Sequence, residues 1–207
     1  MGLFFTSDTH FGHKFILTAG EGRPFTTIEE HDEALVNNWN SVVGPNDTVV
    51  HLGDVVMGTR TENLQIIKRL NGTKILIPGN HDYVSATEKE SRRERYREIY
   101  GEVFDHIMPD TVVIERVAFS HYPPAEIPDH GEEDRYPHMR PSTDDAYLFI
   151  HGHTHQGHVF TPLSSGGMAI SVGVDANDWA PVPVDRLPLL TRERKAIESA
   201  FLMIGVS

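Results

Sequence analysis

Five short polar clusters, each placed directly after an apolar run, constrain this chain more than any other feature. They are Asp8-Thr9-His10, Gly53-Asp54, Gly79-Asn80-His81-Asp82, Ser120-His121 and Gly152-His153-Thr154-His155. The runs before them, residues 3–7, 48–52, 74–77, 116–120 and 147–150, have the length and apolar content of buried strands. Strands that end repeatedly in ligand-type side chains gather those ends at one edge of the sheets, where α/β proteins commonly build sites.

The remaining elements follow from pattern. Residues 27–43 predict an amphipathic helix, with Thr26 and Thr27 each preceding a glutamate three residues on (Glu29, Glu30) as in a capping box. Ile28, Leu35, Trp39 and Val42 form its expected apolar stripe, and Gly44-Pro45-Asn46 stops it. A short helix with Leu64, Ile67 and Leu70 on one side precedes the Asn71-Gly72 turn. Residues 88–100 read as a charged helix with a solvated face, with phosphate binding as the less favoured alternative. Further strands are expected at 111–114 and 168–172, and a closing helix at 192–204. Strands alternate with helices early and pair with one another late, which predicts a mixed α/β sandwich. No repeat or linker divides residues 1–207, so one domain is expected. The long polar segment 122–145 is read as a lid or insertion loop.

Composition narrows the chemistry. With 39% apolar and 23% charged residues the chain is globular, and no apolar run reaches membrane-spanning length. The N-terminus lacks a basic start and long apolar stretch, so a cytoplasmic protein with no membrane partner is expected. There is no cysteine, which excludes disulfides, thiolate metal sites and a cysteine nucleophile. The net charge is −12, unlike the positive footprint of proteins that grip nucleic acid. Two divalent ions would restore about four positive charges locally, so a small phosphorylated substrate is easier to accept than a long duplex.

Taken singly, each cluster has an ordinary structural explanation. In extended backbone, residues two apart point to one side, so Asp8 with His10 and His153 with His155 can each aim two ligands into one cavity. Asp8, His10, Asp54, Asn80, His121, His153 and His155 together give seven oxygen or nitrogen donors. If Asp54 bridges, each of two metals receives four protein ligands. Two ions about 3.5–4 Å apart suit in-line displacement at phosphorus. His51 and His151 lie beside the clusters but are assigned to strand ends.

The ordered set resembles the calcineurin-like metallophosphoesterase superfamily, whose signature is Asp-Xaa-His, Gly-Asp, Gly-Asn-His-Asp/Glu, a lone His, and Gly-His-Xaa-His. The match spans about three quarters of the chain. It looks closest to small stand-alone bacterial or phage members that begin Phe-Thr-Ser-Asp-Thr-His-Phe-Gly-His. The resemblance implies a four-layer α/β/β/α sandwich with two mixed β-sheets. It implies that Asp8, His10 and His155 hold one metal, that Asn80, His121 and His153 hold the other, and that Asp54 bridges. It also implies a metal-bridging hydroxide as nucleophile, with His81 beside the leaving-group oxygen as general acid or phosphate clamp. Manganese is the expected metal, with iron and zinc as alternatives.

Departures limit the analogy. The protein Ser/Thr phosphatases of the superfamily extend the second block to Gly-Asp-Xaa-Val-Asp-Arg-Gly, whereas here Gly53-Asp54 continues Val55-Val56-Met57-Gly58. They also have a glutamate after Asn-His and then an arginine, where this chain has Asp82 followed by Tyr83-Val84-Ser85. A phosphoprotein substrate is disfavoured. The expected activity is hydrolysis of small phosphomonoesters or phosphodiesters, nucleotides or cyclic nucleotides among them. A nuclease using a local basic loop at Arg135 to Arg140 is the alternative, and a non-catalytic scaffold a third. His13, Lys14, Tyr122, Arg135, His138 and Arg140 are softer substrate-contact candidates. Trp179, near Asn177, is assigned to packing.

Overall fold

The computed structural model describes residues 1–18, 22–129 and 134–204. One sheet carries the parallel strands β1 (Leu3–Thr6), β2 (Thr48–His51), β3 (Thr73–Leu76) and β4 (His106–Ile107). The second contains β5 (Thr111–Ile114), β6 (Val117–Ser120), β7 (Leu148–His151), β8 (Phe160–Pro162) and β9 (Met168–Ser171). The short strand β10 (Val182–Pro183) pairs antiparallel to β1 and closes the first sheet at its edge. In the second sheet β6, β7 and β9 are parallel, flanked by antiparallel β5 and β8, giving the order β5-β6-β7-β9-β8. Both sheets are thus mixed, as expected.

The sheets face each other across one apolar layer. Leu3, Phe5, Val50, Leu52, Ile75 and Ile77 from the first sheet side meet Val117, Phe119, Leu148, Ile150, Ile170 and Val172 from the second. Phe5 stacks on Phe119, with ring centroids 5.2 Å apart. Alternation of side chains along a strand sends the intervening residues to the opposite face. Val49 and Leu76 therefore pack outwards against Leu35, Val36, Trp39 and Tyr100.

Those partners come from α1 (Ile28–Val42) and α3 (Glu90–Gly101), with α2 (Arg60–Asn63) and a 3-10 turn (Leu64–Arg69) between them in sequence. The cap of α1 forms as the sequence predicts: Thr27 Oγ1 accepts from Glu30 N at 3.1 Å, and Glu30 accepts from Thr26 N at 2.8 Å. The stripe is shifted. His31 and Val36 are buried with Ile28, Leu35 and Trp39, while Val42 is exposed. At 100° per residue, the stripe through Leu35 and Trp39 continues at Val43, which begins the exit from the helix and is buried instead.

Helix α4 (Thr191–Ile204) inserts Ile197 and Phe201 beside Phe5 and Phe119, so it plugs the layer between the sheets. The outer face of the second sheet is covered by Ile127, Ala146 and Leu163 over Ala118, Phe149 and Ala169. Part of segment 122–145 thereby serves as a thin outer layer, with only a 3-10 turn (Pro137–Met139) as helical structure among its described residues. No helix among the described residues is long and apolar enough to cross a membrane.

Candidate metal centre

The parallel strands β1, β2 and β3 and the parallel strands β6, β7 and β9 end at a common edge, and the five clusters converge there. Asp8 N donates to Gly53 O, His10 N to Asp54 O, and Gly152 N to His121 O, which joins successive clusters directly through the backbone.

The expected extended conformation at the paired ligands is not what forms. Asp8, His10, Asp54, His153 and His155 all have left-handed backbone, with φ between 47° and 72°. This conformation costs a non-glycine residue on the order of 1–3 kcal/mol and persists only where surroundings over-determine it. A strand continuing straight would carry each side chain past the edge. The left-handed step folds the chain back, so ligands from different loops face one another. Two glycines permit the close approach. A Cβ on Gly79 would lie 2.3 Å from Asp54 Oδ1, and one on Gly152 would lie 1.9 Å from Ser7 Oγ and 2.4 Å from Asp8 Oδ2.

Two groups of donors result. In the first, His10 Nε2 and His155 Nε2 are 3.1 Å apart, and Asp8 Oδ1 is 3.7 Å from His155 Nε2. In the second, His121 Nε2 lies 3.1 Å from Asn80 Oδ1 and 3.1 Å from His153 Nδ1. Asp54 Oδ2 stands between them, 3.6 Å from His10 Nε2 and 3.4 Å from His121 Nε2. Asp8 also approaches His121 at 3.9 Å, but through Nδ1, the nitrogen already engaged by Leu52 O at 2.8 Å. Asp8 thus belongs with His10 and His155.

The outer hydrogen bonds fix what the inner atoms can be. His121 Nδ1 donates to Leu52 O, His153 Nε2 to Asp129 Oδ1 at 2.8 Å, and His155 Nδ1 to Asp175 Oδ2 at 3.0 Å. In a neutral imidazole the other nitrogen is then an acceptor. His121 Nε2, His153 Nδ1, Asn80 Oδ1 and Asp54 Oδ2 are therefore four acceptors facing one another, an arrangement that a cation satisfies and hydrogen bonds among them do not. Carboxylate or carbonyl support behind His121, His153 and His155 is the usual second layer of a metal site. The residues present fit divalent ions held by nitrogen and oxygen.

The family model for the Calcineurin-like phosphoesterase superfamily domain matches residues 1–170. The chain belongs to this superfamily. It is similar to the Gene 66 protein of Mycobacterium phage L5, with 34% identity covering 84% of this chain and 86% of that one. An uncharacterised protein of Methanocaldococcus jannaschii is 27% identical, covering 95% of each. A crystal structure of a protein of unknown function from Aquifex aeolicus superposes with a TM-score of 0.64 at 30% identity, covering 88% of this chain and 95% of that one. Membership implies divalent metals.

Electrostatics in this phosphoesterase follow from burial and crowding. His10 is held well below the usual histidine pKa by burial, then by His155 and Arg23, so it presents a neutral ring. Burial raises Asp8. For Asp54, burial is outweighed by His121, His81 and the His81 N–H, and the carboxyl stays low. His155 is raised: burial opposes, but the Asp175 hydrogen bond and the Asp8 charge win.

His81 stands apart from both groups. Its backbone N–H donates to Asp54 Oδ1 at 2.9 Å, while its half-exposed ring places Nε2 3.9 Å from Asp54 Oδ2. Burial lowers its pKa, partly offset by Asp54 and reinforced by His121, Arg60 and Arg135.

Asp82 joins the second and third loops. Oδ2 accepts from Asp54 N (2.8 Å) and Gly79 N (2.9 Å), and Oδ1 from Val55 N (3.2 Å) and Tyr100 OH (3.3 Å). Burial, then the Asp54 charge, raises it to about 6, against the pull of those N–H donors. An amide nitrogen would face the N–H groups of Asp54 and Gly79 in one orientation and that of Val55 in the other. Asp82→Asn is expected to cost about 2–3 kcal/mol of stability, read by urea unfolding of the metal-free protein; an unchanged midpoint would refute this role.

Other residues escape the sequence patterns. Arg23 is buried and donates through Nη2 to Asp8 O at 2.7 Å and through Nη1 to Thr9 O at 3.2 Å. It also forms a two-pronged pair with Asp175, at 2.9 and 2.7 Å. One guanidinium thereby fixes the first loop and, through Asp175, His155. A signal for Asp175 was present: Gly173-Val174-Asp175 follows the strand ending at Ser171, much as Gly53-Asp54 follows β2. Arg23 carried no such signal.

The softer candidates divide. His13 lies with its ring 5.1 Å from that of His10, and burial lowers its pKa to about 4. Lys14 is exposed. Tyr122 is buried against His121 and His153, with centroids 5.1 and 5.3 Å away, and burial pushes its phenol up. Arg140 is not available to substrate. Its buried side chain donates to the carbonyls of Pro123, Pro124 and Ile127 and pairs with Asp134. Asn177 Nδ2 bonds Ser171 O and Gly173 O, and Trp179 packs on Phe25. Arg135 and His138 are exposed. His51 and His151 lie outside both donor groups: His51 Nε2 meets Thr9 Oγ1 at 3.0 Å, His151 Nδ1 meets Gly152 O at 2.8 Å, and burial lowers them to about 3 and about 4.

Proposed function

We propose that this phosphoesterase hydrolyses small phosphomonoesters or phosphodiesters at a dinuclear centre. Asp8, His10 and His155 hold one ion, Asn80, His121 and His153 the other, and Asp54 bridges. The observation that carries the reading is the set of four acceptor atoms, His121 Nε2, His153 Nδ1, Asn80 Oδ1 and Asp54 Oδ2, that face one another. Bound divalent ions supply water activation and charge neutralisation at the phosphoryl group.

The protein's own residues do the rest. Leu52 O, Asp129 and Asp175 hold the ligand rings in one tautomer and orientation. Arg23 and Asp82 lock the loops, so ligand positions are set before substrate arrives. His81 turns an N–H towards the reacting group from the open side. Because its backbone is pinned to Asp54, ring and bridging carboxylate keep a fixed relation.

A nuclease reading required a local basic loop, and Arg140 is consumed within that loop by carbonyls and Asp134. The small-substrate reading is therefore preferred, with manganese as the expected ion. Dialysis of apo protein against manganese should give about two ions per chain and turnover of generic aryl phosphomono- or diesters. Retention of no metal at any pH would instead support the scaffold reading and defeat this one.

A further inference from the structure

Beside His81, and outside the metal centre, lies a wall of arginine and tyrosine. Arg60 donates through Nε to His81 O at 3.1 Å and through Nη1 to Tyr83 OH at 3.0 Å. Its guanidinium lies 4.0 Å from the Tyr83 ring centroid, and that of Arg92 lies 4.8 Å from the same ring. Tyr83 in turn meets Tyr96 edge-on, with centroids 4.7 Å apart. Tyr83, Ser91, Arg92, Arg95 and Tyr96 line a cavity of about 310 Å³.

The charges here are out of keeping with the chain, which carries 30 acidic against 18 basic side chains. In such a chain an unpaired arginine stands out. Among the described residues, no carboxylate oxygen lies within 4.0 Å of the Arg95 guanidinium, whereas the three nitrogens of Arg60 donate to His81 O, Tyr83 OH and Met57 Sδ. Arg92 does have a partner, Glu88 at 2.9 Å, but the arginine is half exposed and the pair is of the weak, screened kind. Guanidinium groups held against aromatic rings are pre-oriented and weakly hydrated, which suits them to phosphate. The wall is joined to the edge of the centre through Arg60, which is bonded to the backbone of His81 and to Tyr83.

We propose that Arg92 and Arg95 form an anion subsite that takes a second phosphate of the substrate, on the leaving-group side of His81, with Arg60 as the residue that ties this wall to the His81 backbone. The preferred substrates are then small phosphoesters whose leaving group itself carries a phosphate, a refinement that rests on the phosphoesterase reading above. The Tyr83 ring is already engaged by the Arg60 and Arg92 guanidiniums, so the wall recognises charge rather than stacking a ring. The proposal takes up the less favoured reading of the charged helix α3, phosphate binding, at its first turns.

The test compares adenosine 3′,5′-bisphosphate with adenosine 5′-monophosphate on the full chain. Binding is measured by calorimetry in EDTA, and initial hydrolysis rates are measured with manganese. The bisphosphate should be favoured about tenfold or more in each, the effect of a charge-assisted hydrogen bond or two. In the Arg92→Ala/Arg95→Ala double variant that ratio should fall towards one, and Arg95→Lys should restore part of it. A ratio near one in the unmodified chain overturns the proposal without reference to any variant, as does an undiminished ratio in the double variant. If only a single-stranded oligonucleotide loses binding in the variant, the small-substrate form of the proposal is wrong. Preference in binding without hydrolysis of either nucleotide would count against the catalytic reading and leave the subsite standing. Hydrolysis without preference would do the reverse.

Discussion

Asp54→Asn is expected to lower kcat/KM by about 10³-fold and to reduce bound metal from two ions per chain to one or fewer. The substitution keeps volume and shape, so the fold has no cavity to absorb. What changes is the pair of oxygens. Oδ2 lies 3.6 Å from His10 Nε2 and 3.4 Å from His121 Nε2, between the two donor groups, while Oδ1 accepts the His81 N–H. If the amide nitrogen takes the Oδ2 position, the bridging ligand is lost. If it takes the Oδ1 position, it meets the His81 N–H donor to donor. Metal-assisted stabilisation of phosphoryl transfer amounts to several kcal/mol, and about 1.36 kcal/mol corresponds to each factor of ten.

A second readout separates ligand loss from misfolding. The Asp54 charge raises the pKa of Asp8 and of Asp82, so the three carboxylates repel one another when no cation is present. Removing one relieves that repulsion. His121 and His81 attract the same charge and hold its own pKa low, so the two effects oppose each other and the metal-free variant should melt within a few degrees of the metal-free parent. Elemental analysis, steady-state rates and thermal melts of both forms decide the matter. Full activity with two ions retained would remove Asp54 from the centre.

That Asp54 could be singled out without coordinates reflects how this site is built. Each of the five clusters lies within two or three residues of a strand end, and strand ends are visible as the close of an apolar run. The run Thr48–His51 followed by Gly53-Asp54 is such a case. What the pattern misjudged was the path of the chain through the clusters. The left-handed backbone at Asp8 and His10 is held by Gly53 O and Asp54 O, and that at His153 by the Asp8 carboxylate, partners remote in sequence.

The supporting residues were hidden for the same reason. Arg23 and Asp175 are separated by 152 positions, and although Asp175 follows a strand end, nothing local to Arg23 announces the pairing. Asp129 lies in the segment read as a lid or insertion, where polarity alone could not distinguish a ligand support from surface. Strands β4, β8 and β10 are two or three residues long, too short for alternation to register, and two of them include a proline tolerated at a sheet edge. Arg60 follows the absent Asp-Arg extension by only a few positions, yet its contact with the His81 backbone depends on the fold of the whole third cluster.

His81→Ala is expected to lower kcat by roughly 10²–10⁴-fold, the usual contribution of a positioned proton-bearing group, while both ions stay bound. The separation between these effects follows from geometry. His81 touches the centre through its backbone, whose N–H to Asp54 Oδ1 survives removal of the ring. The ring itself is 36% exposed and stands 3.9 Å from Asp54 Oδ2 on the open side, where a leaving oxygen departs. Alanine leaves that side accessible to water without disturbing Asn80 or Asp82. Because the lost group acts on the leaving oxygen, the deficit should be smaller for an aryl ester, whose leaving group departs unaided, than for an alkyl ester. Rates for a series of esters of rising leaving-group pKa should thus fall more steeply in the variant than in the parent. A uniform loss across the series would move His81 from the leaving oxygen to the phosphoryl oxygens. Loss of metal together with activity would make it a structural prop of the centre instead.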